Sequence, residues 1–86
     1  MKITAQFWSE LGSFGNPMDN TPDAHGTLHD VRDSFAAYVD EVARYYDMSE
    51  IAGNVSATCY RGDSVTEYPD FLLVVGRRGG IRRAAC

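Results

Sequence analysis

Residues 27–47, TLHDVRDSFAAYVDEVARYYD, constrain the fold more than any other stretch of this chain. At roughly 100° per residue, Leu28, Val31, Phe35, Tyr38, Val39, Val42 and Tyr46 fall in one sector about 100° wide. Asp30, Asp33, Asp40, Glu41, Arg44 and Asp47 gather on the opposite side. A segment patterned in this way is a helix with one wall committed to a core. Thr27 follows Gly26 as a plausible N-cap, with Asp30 at the capping-box position. Met48 and Ile51 leave the stripe. The helix is therefore expected to break near Asp47, with one further turn from Ser49 closed by Gly53.

A single amphipathic helix needs a second layer, and the rest of the chain reads as strands. Ile3, Ala5 and Phe7 alternate with Thr4, Gln6 and Trp8, with Trp8 as an apolar exception on the polar side. Val55, Ala57 and Cys59 alternate with Ser56, Thr58 and Tyr60. Residues 65–70 read as extended, with Pro69 near the start of the next strand. FLLVV (71–75) is a continuous apolar run, as in a strand covered on both faces. GRRGG (76–80) reads as a hairpin loop and IRRAA (81–85) as a short edge strand whose charges discourage further pairing. Residues 9–26 hold Gly12, Gly15, Pro17 and Pro22 and read as a loop, long for a compact domain. Phe14 and Met18 within it are expected to pack down as a lid if the loop is ordered. The expected fold is α+β: one helix on a small mixed, mostly antiparallel sheet, in the order β-α-β-β-β. Eighty-six residues make one domain, 1–86.

That architecture has one helix for two sheet faces. Trp8 and Tyr60 are expected to point away from the helix, on a face that the 9–26 loop, a second copy of the chain or another partner must cover.

Charge is unevenly placed. Residues 1–53 hold nine acids and three bases, and residues 54–86 hold three acids and five bases, for a net charge of −4. Asp33, Asp40 and Glu41 lie on the nearly single-signed helix stripe. Arg77, Arg78, Arg82 and Arg83 crowd the C-terminal hairpin. Arginines there can guard an edge, pair with phosphates or anchor a protein contact. A pI near 4.9 argues against a dedicated nucleic-acid binder, so nucleic acid ranks below protein as the partner, and homodimerisation is a further option.

No catalytic motif stands out. HGTLH (25–29) spaces two histidines like metal ligands but lacks a third, so no metal or cofactor is assigned. Cys59 sits on the apolar side of a strand, where a small hydrophobe is ordinary. Pairing it with terminal Cys86 would only clip a fraying end. RGDS (61–64) is turn chemistry. No signal peptide or membrane span is visible, which points to the cytoplasm.

The segment EYPDFLLVVGRRGGIRR (67–83) resembles a tail found in small actinobacterial phage proteins of the mycobacteriophage type. There Tyr-Pro-Asp precedes an apolar strand and then Gly-x-Arg-Gly-Gly-apolar. Tyr68, Pro69, Asp70, Gly76, Arg78, Gly79, Gly80 and Ile81 carry the resemblance, and Arg77 stands where proline is common. It covers about a fifth of the chain and does not reach the helix. It implies a phage accessory protein acting inside a GC-rich bacterial host, in keeping with seven arginines against the single Lys2. The family has no agreed activity. Binding a host or phage protein, and so altering a host process, is the expected mode of action.

Overall fold

The computed structural model of the protein describes residues 1–12, 14 and 16–85. Gly15 and Cys86, both weighed above, lie outside the described residues. The elements are β1 (Ile3–Ser9), β2 (Ala24–Gly26), α1 (Leu28–Val42), α2 (Met48–Ile51), β3 (Val55–Arg61), β4 (Phe71–Val75) and β5 (Ile81–Ala84). The five strands form one sheet in the order β2-β1-β3-β4-β5, and all four pairings are antiparallel. The α+β architecture is the one expected, with the three-residue strand β2 as an addition.

The core lies between α1 and one sheet face. Val31, Phe35, Val39 and Val42 of α1 are buried against Ile3, Ala5 and Phe7 of β1, Val55, Ala57 and Cys59 of β3, and Phe71, Leu73 and Val75 of β4. The registers Ala5↔Cys59↔Phe71 and Phe7↔Ala57↔Leu73 place small side chains at the sheet centre. Close packing then leaves space there for bulk from the helix. Phe35 fills it, with its ring centroid 5.4 Å from that of Phe7.

Local chemistry sets the helix ends. The Thr27 hydroxyl accepts the Asp30 N–H at 3.1 Å, and the Asp30 carboxylate accepts the Thr27 N–H at 3.0 Å, a closed capping box. At the other end α1 stops at Val42, about a turn before the expected break near Asp47. Arg44 and Tyr45 donate to Glu41 and Val42 three residues back, which tightens the exit. This turn lets the chain bring Ile51 of α2 fully into the core. A continuous helix would have carried Ile51 off the buried stripe.

The span 9–26, read as a loop, begins in β1 and ends in β2, and its described residues between them have two jobs. Its first part packs on the helix side, where the Phe14 ring lies 6.3 Å from Tyr38 and 6.4 Å from Tyr46. Met18 does not pack down and is 99% exposed. Its second part straps the outer edge of β1. The register Ala5↔Ala24 would set Pro22 opposite Phe7. Proline has no N–H to give, so β2 cannot extend past that point. Side chains take over from there: Asp23 accepts the Phe7 N–H at 2.7 Å, and the Asn16 amide oxygen accepts the Ser9 N–H at 2.7 Å. Gln6 donates in turn to the Asp19 and Thr21 carbonyls, at 2.7 and 3.2 Å.

The opposite edge is guarded differently. The Gly76 N–H donates to the Gly80 carbonyl at 2.8 Å. By antiparallel alternation, the backbone groups of Ile81 and Arg83 therefore face outward. Arg32 of α1 reaches over and donates to the Ile81 carbonyl at 2.8 Å. Residues 65–70, read as extended, form no strand.

Two substitutions probe this arrangement. Phe35→Ala is expected to cost about 3–5 kcal/mol in urea unfolding, as a fully buried ring is lost. Asp23→Ala leaves the Phe7 N–H without its acceptor and is expected to cost about 1–2 kcal/mol, with Asp23→Asn recovering part of the loss.

Candidate partner-binding faces

Strand alternation decides which side chains share the face opposite α1. Trp8, Ser56, Val74 and Arg82 form one row across the sheet, and Gln6, Thr58, Leu72 and Ala84 form the next. Among the described residues no helix packs there. The strap covers the β1 margin, where its carbonyls hold the Gln6 amide. The remaining floor, on β3, β4 and β5, is Ser56, Thr58, Leu72, Val74 and Ala84, all half-buried, with Arg82 exposed at its rim. FLLVV is thus fully covered only on the helix side: Phe71, Leu73 and Val75 are buried, while Leu72 and Val74 retain exposure.

Trp8 stands at the strap side of this floor, half-buried, with its indole N–H donating to the Thr58 hydroxyl at 2.8 Å. Tyr60 is on the expected face, but the expectation that it offers a contact surface is corrected: only 5% of it is exposed. Its cross-strand neighbour Thr4 is also buried and donates its hydroxyl to Gly62 at 2.9 Å. The 62–70 connection closes beside it, as Asp70 donates its N–H to the Cys59 carbonyl and accepts the Arg61 N–H.

The four arginines do not act as one cluster. Arg77 and Arg78 are exposed on a three-residue loop that closes through Gly79, at φ +87°. Any residue with a Cβ would be strained in that left-handed conformation. Arg82 and Arg83 are neighbours in sequence and so point to opposite sides of β5. Arg83 turns to the helix side, where its guanidinium lies 4.1 Å from the Phe71 ring centroid, a cation–π contact. Arg77, Arg78 and Arg82 are left at the open face and its hairpin end.

Asp33, Asp40 and Glu41 are exposed on the outer side of α1, a full layer away from the open floor. Two of them have local company: Asp33 lies 3.5 Å from His29 and Glu41 lies 3.4 Å from Arg44. The nine residues singled out from sequence therefore divide between two opposite surfaces, with Tyr60 in the interior.

Much of the acidity is local scaffolding. Asp19, Asp23, Asp30, Glu50 and Asp70 each accept a backbone N–H. Sequence reasoning took these residues for turn formers or helix charge and missed the strap residues Asn16, Asp19 and Asp23. Pro22 just before Asp23 was the one signal for where β2 must stop. Backbone and hydroxyl hydrogen bonds from Thr27 hold the Asp30 carboxyl below its ordinary 3.8, and Thr21 does the same for Asp19. Burial raises the Tyr38 hydroxyl, against an opposing contribution from the Ser9 side chain, and no hydrogen bond closes on that buried oxygen.

Among the described residues no enclosed pocket opens, and no three His, Cys, Asp or Glu side chains converge as metal ligands. His25 and His29 are both exposed. No described helix is long and apolar enough to cross a membrane. Comparison with family models, curated proteins and solved structures finds no match to this chain.

The depressed Asp30 and Asp19 carboxyls add stability that is present above their ordinary value near 3.8 and lost as pH falls through the lower folded-state values. Asp30→Asn is expected to lower stability at neutral pH and to flatten the acid limb of a stability-against-pH curve, the two proteins converging as pH falls below the ordinary carboxyl value. Tyr38→Phe removes a hydroxyl without a partner and is expected to hold stability within about 0.5 kcal/mol, or raise it, by thermal unfolding.

Proposed function

We propose that this chain is a small non-enzymatic interaction module, a phage accessory protein that binds a protein partner in the cytoplasm of a bacterial host and alters a host process. The observation that carries the interaction reading is the sheet face that the described residues leave without a second layer. Leu72, Val74, Ala84 and Trp8 put apolar surface there, Arg82 stands at its rim, and Arg77 and Arg78 extend the positive end. Half-buried apolar side chains beside exposed arginine have the composition of a contact surface rather than of a catalytic cleft. The phage context rests on the 67–83 resemblance.

Nucleic acid is the second reading, favoured by the exposure of Arg77, Arg78 and Arg82. Three arginines make few phosphate contacts. Stacking platforms are short as well: the Trp8 indole is half-buried and tied to Thr58, and Tyr60 is interior. Protein is the better-supported partner.

A photo-crosslinking residue placed at Val74 is expected to capture a discrete protein from host lysate, whereas one placed at Ala37 on the outer side of α1 captures none. Capture from Ala37 alone, or from neither site, would remove the open face as the contact surface.

A further inference from the structure

We infer that the open face receives an acidic amphipathic helix from another protein. The inference rests on the interaction reading above and adds the chemistry of the partner.

Width is the first argument. The strap occupies the β1 margin, so the floor runs from β3 to β5. Strands lie about 4.8 Å apart, so this floor is roughly 10 Å across, close to the 10–12 Å diameter of one α-helix with its side chains. The other face of the same sheet is already covered by one helix, α1. A helix on the open side would complete a three-layer arrangement around β3 and β4.

Strand addition is the competing mode, and occupied backbone groups resist it on β5 and on β1 beyond the end of β2. Arg32 occupies the outward Ile81 carbonyl of β5. Asp23 and Asn16 occupy the outward Phe7 and Ser9 N–H groups of β1. A partner is left with the face rather than the rim.

Charge is the second argument. Strands β3, β4 and β5 and the 76–80 loop carry Arg61, Arg77, Arg78, Arg82 and Arg83 and no acid. Arg77, Arg78 and Arg82 remain at the open face and its end. The acids of α1 lie on the other side of the sheet. A helix docking on Leu72 and Val74 therefore meets local positive charge in spite of the negative total.

A second copy fits poorly. Its only described helix of useful length, α1, already buries its apolar stripe within its own core. Face-to-face pairing of two copies would bring no helix to the floor, since α1 of each copy lies on the far side of its own sheet. The partner is therefore a different protein.

The test is a selection from a displayed library of amphipathic helices with a fixed apolar stripe and randomised charged positions, panned on the full chain. Acidic helices are expected to be enriched. The best of them, titrated by Trp8 emission, should weaken about tenfold or more on the joint change Arg77→Glu and Arg82→Glu. Both positions are exposed, so the fold should persist by circular dichroism. Val74→Glu should abolish binding. Enrichment of basic or neutral helices that still fail on Val74→Glu would overturn the partner chemistry and leave the interaction reading standing. No enrichment over the Val74→Glu control would overturn the helix proposal, while crosslinking from Val74 judges the interaction reading separately. Self-association of the chain that Val74→Glu removes would replace the foreign helix with a second copy. Binding of a single-stranded oligonucleotide, lost with the arginine changes and with no helix enriched, would overturn both readings.

Discussion

Burial of a single helix stripe on one side of the sheet is the constraint from which the other features follow. Val31, Phe35, Val39 and Val42 have nowhere else to go, and alternation in β1, β3 and β4 meets them with inward apolar residues. A chain of 86 residues buries one core of this size and has no second helix of comparable length among its described residues. The opposite face then has only loops to cover it. The 9–26 strap reaches β1 and the 62–70 connection closes beside Tyr60, but neither spans the floor of Leu72 and Val74. The open floor is thus a consequence of having one helix for two faces.

Charge follows the same geometry. The acids look like a docking stripe when laid out on a helix, yet Asp30 within it and several acids elsewhere in the chain accept backbone amides. Asp30 closes the capping box of α1, Asp23 accepts the Phe7 N–H where β2 has ended, and Asp70 secures the strand beside Arg61. Fixed local acceptors of this kind are part of what keeps turns and edges in place. Arginines show the reverse division. Arg32 and Arg83 are drawn into structural contacts with Ile81 and Phe71, and Arg77, Arg78 and Arg82 remain outward.

Edge protection and the open face are linked. The Ile81 carbonyl of β5 and, beyond the end of β2, the Phe7 and Ser9 N–H groups of β1 are occupied by side chains from elsewhere, which limits strand pairing at those points. With those groups taken, recognition is directed to side chains on the sheet face. Side-chain recognition is more selective than backbone pairing, since every chain offers the same backbone groups.

The helix, its N-terminal capping box, the main strands and the hairpin at Arg77 and Arg78 were legible in the sequence, because each depends on period and on neighbours within a few residues. Thr27 and Asp30 are three residues apart, and FLLVV and GRRGG speak for themselves. The end of α1 at Val42, the strand β2, the burial of Tyr60 and the separation of Arg82 from Arg83 in role depended on contacts far away in the chain. Tyr60 is interior because Thr4 and the 62–70 connection close beside it, and Arg83 is occupied because Phe71 lies across the hairpin. Periodicity determined which side of a strand a residue faces. Only the tertiary structure decided whether anything was waiting there to cover it, since cover comes from segments that local patterning does not relate.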